Sequence, residues 1–217
     1  MDRITDAFVW PFRDPDGLSK LAIIGLLCLI PIVGAINGMG WMLAALDRLR
    51  AGEEKLPLAN LDYLGRGVGL FVVNLAYVLA LLLVGGFLYA LAFVILAAQG
   101  HDNPNPFLVA VALALLALTF SAVSIGSLAL TFATPAIVLA VSRGGIGAGL
   151  RVDDVVRVSI KSPLNTLIAG LMLIAVSFIE GLGIWVCCVG IVFTIAYGLA
   201  MQAWIVRSFE MGSSPAN

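Results

Sequence analysis

Long stretches without a charged side chain dominate the chain, and short polar segments separate them. Asp, Glu, Lys and Arg are absent from five runs, which are residues 21–46, 67–100, 103–142, 162–179 and 181–206. A helix that crosses a bilayer needs about 20 apolar residues, because each rises about 1.5 Å and the hydrocarbon core is about 30 Å thick. Four of the five runs exceed that length and the fifth approaches it. The pattern predicts an all-α polytopic membrane helix bundle.

Composition supports this class of protein. Hydrophobic residues make up 61% of the 217 residues and charged residues 12%, whereas a soluble domain carries about 25% charged residues. The net charge of −1 includes no basic stripe that would neutralise phosphates, so nucleic acid is not an expected partner. We interpret residues 1–217 as a single integral membrane domain with an interfacial segment at 1–20. Its expected partners are membrane lipids and other membrane protein subunits, or a second copy of the chain.

The distribution of basic residues predicts the orientation. All 12 Lys and Arg lie in the polar segments that flank the runs. Because cytoplasmic loops carry an excess of Lys and Arg, segments 47–66, 143–161 and 207–217 are predicted to be cytoplasmic. The connections at 101–106 and around Glu180 carry no Lys or Arg and are predicted to face the outside. Runs two to five then cross the cell (cytoplasmic or inner) membrane once each, which gives four spanning helices.

The first run, residues 21–46, admits two arrangements. Pro31 lies near its middle and removes a backbone donor where the chain can bend. One kinked span would place the basic N-terminal residues outside. A re-entrant hairpin would keep them on the cytoplasmic side, although 26 residues are too few for two full crossings. Both arrangements remain open at this point.

The second and third runs are longer than an upright helix needs. Residues 103–142 would extend about 60 Å as one helix. Pro135 is expected to break this run and to leave a short cytoplasmic-side helix after it. Gly85 and Gly86 are the corresponding kink candidates in the second run. Steep tilt is the alternative way to absorb the excess length.

Interfacial helices are predicted on the cytoplasmic side, where apolar residues recur within polar segments. The clearest case is 152–161, where apolar and charged side chains occupy opposite helix faces. The apolar face has Val152, Val155, Val156 and Ile160, and the charged face has Asp153, Asp154, Arg157 and Lys161. The N-terminal Trp10 with its apolar neighbours suggests a second such element, and Leu56 through Leu64 a third.

Polar residues within or between the apolar runs are the candidates for a functional site. An ionisable group inside a membrane is expensive and marks function by default. Glu180 is the acid between the fourth and fifth runs. The topology places it in a tight turn, Glu180 to Gly183, at the outer interface, where it would reach water; the alternative is an ion or proton role. Asn37 and Asn74 are predicted to form hydrogen bonds between helices.

No enzyme or metal site is predicted. His101 is the only histidine, and a closed zinc site needs three or four protein ligands. Cys28, Cys187 and Cys188 lack the spacing of a metal motif and are expected to pack as small hydrophobic residues. The sequence contains no HExxH, GxSxG, Rossmann or P-loop motif. We therefore expect no catalytic residue and no cofactor.

Small residues mark a candidate packing face in the third run. Alanines recur there at spacings of four, three and four, along one side of a helix, at Ala129, Ala133, Ala136 and Ala140. Small residues let helices approach closely in lipid, where association depends on van der Waals contact. This face would either dock a partner subunit or pack within the same chain.

Short motifs over most of the chain resemble one membrane family. They are Trp10-Pro11-Phe12 with Asp14, Gly25-Leu26-Leu27 leading to Ile30-Pro31-Ile32-Val33-Gly34, Gly40-Trp41, Leu56-Pro57 with Asp62, Tyr77, and Cys188 through Thr194 with Tyr197. Together they resemble the domain of unknown function 4013 family of uncharacterised prokaryotic membrane proteins. The resemblance implies a prokaryotic multi-pass membrane protein and supplies no catalytic residue.

Three classes of function remain. We favour a structural or accessory subunit that packs against a larger membrane complex, because the chain offers no recognisable site. Broken helices and buried amides are the argument for a small-solute or ion carrier or channel. The first run and the interfacial helices are the argument for a membrane-shaping or lipid-binding protein.

Overall fold

The structure, a computed structural model, describes residues 4–99, 104–185 and 187–213. Within these residues the fold is all-α, as predicted. Two 3-10 turns, Ile4–Phe8 and Trp10–Phe12, precede seven α-helices: α1 (Gly17–Cys28), α2 (Val33–Arg50), α3 (Leu64–Ala97), α4 (Pro106–Gly149), α5 (Val152–Lys161), α6 (Pro163–Trp185) and α7 (Cys187–Ser213).

In the part of the chain that the structure describes, four helices are long and apolar enough to cross a membrane. They are Leu64–Ala97, Pro106–Gly149, Pro163–Gly183 and Gly190–Ser213. Charge-free segments form helices because a helix bonds its own backbone N–H and C=O groups where water does not reach them. These helices are compatible with a multi-pass membrane protein.

The first apolar run forms a helical hairpin. α1 ends at Cys28 and α2 begins at Val33, so the chain reverses around Pro31. Both arms meet at the same peptide group: the Leu56 carbonyl accepts hydrogen bonds from Lys20 at the start of α1 and from Arg48 near the end of α2. The chain therefore returns to the side from which it entered, which is the hairpin of the two predicted arrangements.

The tip of the hairpin is apolar and bonds several of its own backbone N–H groups. The N–H groups of Leu29, Ile30 and Gly34 donate to carbonyls three or four residues earlier. Leu29 and Ile32 are exposed side chains, at 50% and 65%. A turn with internally bonded N–H groups and apolar side chains is suited to hydrocarbon, where an unpaired N–H group is costly.

α7 forms the centre of the first of two compact units, which comprises Met1–Val73 and Thr131–Asn217. It packs against α1, α2, α6 and the first 3-10 turn. α2 runs beside it, since Gly38 lies against Leu199 and Arg50 bonds Glu210. The core of this unit is therefore built around the last helix of the chain.

Close backbone contacts hold the hairpin in this unit. A Cβ on Gly25 of α1 would collide with the Val192 carbonyl of α7. A Cβ on Gly67, in the first turn of α3, would collide with the Ile36 carbonyl of α2. Glycine is required at these two crossings because any side chain would push the helices apart.

The second compact unit, Asn74–Leu130, contains one segment each of α3 and α4. Gly85 lies against Val123, and Gly126 lies against Leu81. α3 continues through Gly85 without a break, so the predicted kink there does not interrupt the helix. Most large side chains of this unit are exposed, as expected for helices that face lipid.

Pro135 does not break α4, contrary to the prediction. The helix continues to Gly149, and its non-helical residue is Gly145, with φ 68° and ψ −161°. A proline removes one backbone hydrogen bond, which membrane helices tolerate. A positive φ, in contrast, favours a residue without a Cβ, so the chain bends at Gly145.

The amphipathic pattern of residues 152–161 does form a helix, α5. Val155 is buried, whereas Val152, Val156 and Ile160 are exposed. The exposed apolar face is the one expected to contact acyl chains next to the headgroups.

The interfacial helix predicted at Leu56 through Leu64 is not present: residues 53–63 form a loop. Pro57 has no N–H group to donate to a helix. Both backbone groups of Leu56 are bonded to other segments instead.

Candidate functional site

A buried polar cluster joins the N-terminal segment to the loop after α2. The Asp14 side chain is 2% exposed and lies 2.7 Å from Nζ of Lys20. Its carboxylate also accepts hydrogen bonds from the N–H groups of Leu56 at 2.9 Å and Asp16 at 3.1 Å. Burial raises the pKa of a carboxyl, but the hydrogen bonds from these three groups hold the pKa of Asp14 below its ordinary value.

The N-terminal segment is docked on α7. Trp10 is completely buried, its Nε1–H donates to the Ala200 carbonyl at 3.2 Å, and its ring stacks on Trp204. The Tyr197 hydroxyl donates to the Phe8 carbonyl at 2.5 Å. Within the predicted interfacial segment, Trp10 itself therefore packs inside the protein, whereas Val9 and Phe12 are exposed.

Asn37 is fully buried, and both ends of its amide are bonded. Nδ2 donates to the Asn60 carbonyl at 2.9 Å, and Oδ1 accepts from the Tyr63 N–H at 3.3 Å. The partners belong to the loop that precedes α3 rather than to another helix. Asn37 thus fixes the path of this loop.

Glu180 does not lie in a turn, contrary to the prediction. α6 continues past it to Trp185, and the Glu180 side chain lies against Gly198 of α7. The Thr194 hydroxyl lies 3.4 Å from the Glu180 carbonyl oxygen. Gly183 is part of the same helix, and its missing side chain leaves room for Thr194. Glu180 is a half-buried residue of the α6–α7 contact.

The alanine face of α4 is divided. Ala136 is 3% exposed, Ala133 and Ala140 are half-buried, and Ala129 is exposed. Internal packing therefore accounts for the centre of the face. Asn74 is a half-buried residue of α3 at the start of the second unit.

A charged cluster not singled out from the sequence lies in the first unit at the ends of α2 and α7. Glu210 accepts hydrogen bonds from Arg50 at 2.9 and 3.0 Å, from Arg143 at 2.7 Å and from Arg207 at 3.0 Å. The Arg50 guanidinium also donates to Asp47. Each arginine follows the end of an apolar run on the same predicted side of the membrane. This shared position is the feature of the sequence that indicates a common charged cluster.

The histidine and cysteine residues, which are the candidate metal ligands, lie only in part within the described residues. Among the described residues, no group of three or more His, Cys, Asp or Glu is placed to hold a metal ion. His101 lies outside the described residues, as do the side chains of Cys187 and Cys188. Cys28 is half-buried, and its thiol lies 3.7 Å from the Gly34 carbonyl oxygen.

Comparison with known proteins gives a family and no individual relative. No curated protein and no solved structure matches the chain. A family profile matches residues 23–210, which include α2 to α6 in full, half of α1 and most of α7. The chain therefore belongs to the family described as protein of unknown function (DUF4013).

Proposed function

We propose that the protein is an accessory membrane subunit that packs through α3 against a helix of another membrane protein. The observation that supports this proposal is an exposed seam on α3 within the second unit. Its members recur at spacings of three, four, three and four: Leu83, Gly86, Ala90, Phe93 and Ala97. That spacing places them along one helix side and is typical of packed helix pairs.

Gly86 is the informative residue of this seam. Gly85 next to it contacts Val123 within the unit, whereas a Cβ on Gly86 would meet nothing within 4 Å. Glycine in a helix interior costs about 1 kcal/mol relative to alanine. A close approach by a second helix at Gly86 and Ala90 would offset this cost, because small residues at i and i+4 bring two backbones together in lipid.

Large side chains flank the two small residues Gly86 and Ala90. Leu83 and Phe93, on either side of them along the helix, are 72% and 59% exposed. A partner helix seated on Gly86 and Ala90 would fit between them, as a ridge fits a groove. Asn37 also favours a structural over a transport role, since both ends of its amide are bonded within the chain.

The proposed setting is the cytoplasmic membrane of a prokaryotic cell. The Lys and Arg excess in 47–66 and 143–161 supports a cytoplasmic position for these segments. The proposal assigns no catalytic residue and no cofactor to the chain. The proposed function of the chain is to offer a packing surface to a partner subunit.

The test is purification from the native membrane in mild detergent with Ala90→Leu. We expect the wild-type protein to co-purify with a stoichiometric membrane protein, and the variant to remain folded and monodisperse but to lose that protein. Ala80→Leu is the matched control: Ala80 is also exposed, but it lies about 120° around the helix from Gly86 at 3.6 residues per turn. Retention of the partner by Ala90→Leu, or a wild-type protein that purifies alone, would contradict the proposal.

A further inference from the structure

A half-open cavity of about 250 Å³ lies beside the charged cluster at Glu210. Its walls come from the end of α4, the end of α5 and the end of α7, all within the first unit. The lining residues are Leu139, Arg143, Val158, Lys161, Ser162, Glu210 and Ser213. The cavity thus combines two cationic side chains and two hydroxyl groups with a small apolar wall.

The cavity has an excess of positive charge. The Glu210 carboxylate faces three guanidinium groups, from Arg50, Arg143 and Arg207, so the cluster retains two positive charges. Lys161 adds a third. Asp47, the other acid bonded to Arg50, also pairs with Arg66. Of these cations, Arg143 and Lys161 line the cavity itself, together with the single carboxylate of Glu210, so the lining carries a net positive charge.

Arg143 is positioned to serve both Glu210 and a ligand. One Nη atom of its guanidinium lies 2.7 Å from Glu210, while the side chain is 63% exposed. The bond to Glu210 holds the planar group at the cavity, and a guanidinium has five N–H donors. Guanidinium groups that are held in this way bind phosphate oxygens in a bidentate manner.

The surroundings indicate where the phosphate comes from. Ser162 of the cavity is followed directly by α6, whose Leu164, Leu167 and Leu171 are exposed at spacings of three and four. The cavity is smaller than the roughly 300–1,000 Å³ of sites that enclose a whole drug-sized ligand. It has room for a headgroup, while acyl chains would lie on the apolar face of α6.

We propose that this cavity binds the phosphate group of an anionic phospholipid, with Arg143 and Lys161 as the cationic contacts. The site is independent of the α3 seam and goes beyond the proposed accessory role. A basic cavity between membrane helices at headgroup level is the type of site that selects anionic lipids. A soluble phosphate is the other source of the same chemistry.

The test uses the full-length protein in detergent, delipidated and titrated with phosphatidylglycerol or with phosphatidylcholine of the same acyl chains. Native mass spectrometry counts bound lipids, and the melting temperature reports their effect. We expect saturable binding of one phosphatidylglycerol and weaker binding of phosphatidylcholine. Arg143→Gln with Lys161→Gln should weaken the phosphatidylglycerol affinity roughly tenfold or more.

The matched control is Arg151→Gln with Arg157→Gln, which removes the same charge. These arginines are 71% and 76% exposed and do not line the cavity. They should change the affinity by less than about twofold. Equal loss in both double variants would overturn the site in favour of general surface attraction, and equal binding of the two lipids would overturn its selectivity.

A single-site variant and a titration with inorganic phosphate complete the test. Lys161→Gln alone leaves the Arg143–Glu210 pair intact, so we expect this variant to fold even if the double variant does not. It should bind phosphatidylglycerol more weakly than the wild-type protein. Unchanged binding in this folded variant would overturn the role of Lys161. Inorganic phosphate is titrated without lipid. Binding of inorganic phosphate without phosphatidylglycerol binding would overturn the lipid assignment.

Discussion

Asp14 joins three parts of the chain through one carboxylate. Its partners are the side chain of Lys20 and the backbone N–H groups of Asp16 and Leu56. Asp14 precedes α1, and Leu56 follows α2. Because the carboxylate is buried, these bonds are shielded from water and contribute more than exposed ones. Asp14 therefore closes the base of the hairpin.

We predict that Asp14→Asn destabilises the protein by about 2–3 kcal/mol, because it leaves Lys20 without its counter-charge and weakens two hydrogen bonds. Thermal unfolding in mild detergent measures the change. Asp16→Asn is the control, since Asp16 is exposed and supplies its backbone N–H rather than its carboxylate to the cluster. A melting temperature of Asp14→Asn equal to that of Asp16→Asn would exclude this role.

The same carboxylate gives a pH dependence. The pKa of Asp14 is lowered in the folded protein relative to 3.8, so its charge stabilises the fold above that value. The contribution is lost as the pH falls through the lower, folded-state pKa. The difference in melting temperature between wild type and Asp14→Asn should therefore stay constant from about pH 7 to about pH 5 and shrink at more acidic pH. A difference that grows on acidification would have the wrong sign.

At the scale of elements, a helix crossing depends on the glycine at the point of contact, and another glycine nearby in the same helix does not take its place. Gly67 in α3 approaches the Ile36 carbonyl and Gly40 of α2. Gly65, two residues earlier in the same helix, would have open space around a Cβ. Two identical substitutions can thus be compared within one helical turn.

Gly67→Ala should destabilise the protein by about 1–3 kcal/mol, because the new methyl group forces α2 and α3 apart. Gly65→Ala should be neutral or stabilising by up to about 1 kcal/mol, since alanine has the higher helix propensity. Thermal unfolding of both variants measures the difference. Equal effects of the two substitutions would show that the crossing does not depend on Gly67.

Helix type and approximate position follow from the charge pattern, whereas helix ends depend on tertiary contacts. The five apolar runs correspond to the first hairpin and the four long helices. At the connection predicted around Glu180, α6 instead continues to Trp185, and Thr194 of α7 packs against Gly183 within this helix. A glycine permits both a turn and a close helix contact, and only the neighbouring helix decides between them.

The candidate sites could be predicted from the sequence to a smaller extent than the helices. The positions of Arg143 and Arg207 at the ends of apolar runs indicated one charged side of the molecule. The convergence of Arg143 and Arg50 on Glu210 was not predictable, because these arginines lie 67 and 160 positions from Glu210 on separate helices. Asn37 was identified as a buried amide, but its partners lie in a loop whose path the apolar pattern does not encode.

At the scale of the whole molecule, the hairpin sets the topology. The N-terminal segment and the loop after α2 lie on one side, since Asp14 and Arg48 both bond Leu56. Because cytoplasmic loops carry an excess of Lys and Arg, we predict that Thr5 and Asp153 lie on the cytoplasmic side and Asn105 on the outside. All three residues are exposed.

Single cysteines at these positions, with the three native cysteines replaced, test this topology. We expect an impermeant maleimide to label Asn105→Cys in intact cells, and to label Thr5→Cys and Asp153→Cys only after lysis. Outside labelling of Thr5→Cys would contradict the hairpin. Outside labelling of Asp153→Cys would reverse the orientation of the whole chain.

The docking of Trp10 on Ala200 also imposes an order on biosynthesis. The two residues are 190 positions apart, and ribosomes add about 5–20 residues per second. The indole therefore leaves the ribosome roughly 10–40 seconds before its binding surface on α7 exists. During that interval the hairpin lacks the helix that packs against it in the folded protein. A nascent chain that stalls before α7 presents this uncovered face to insertases and quality-control proteases.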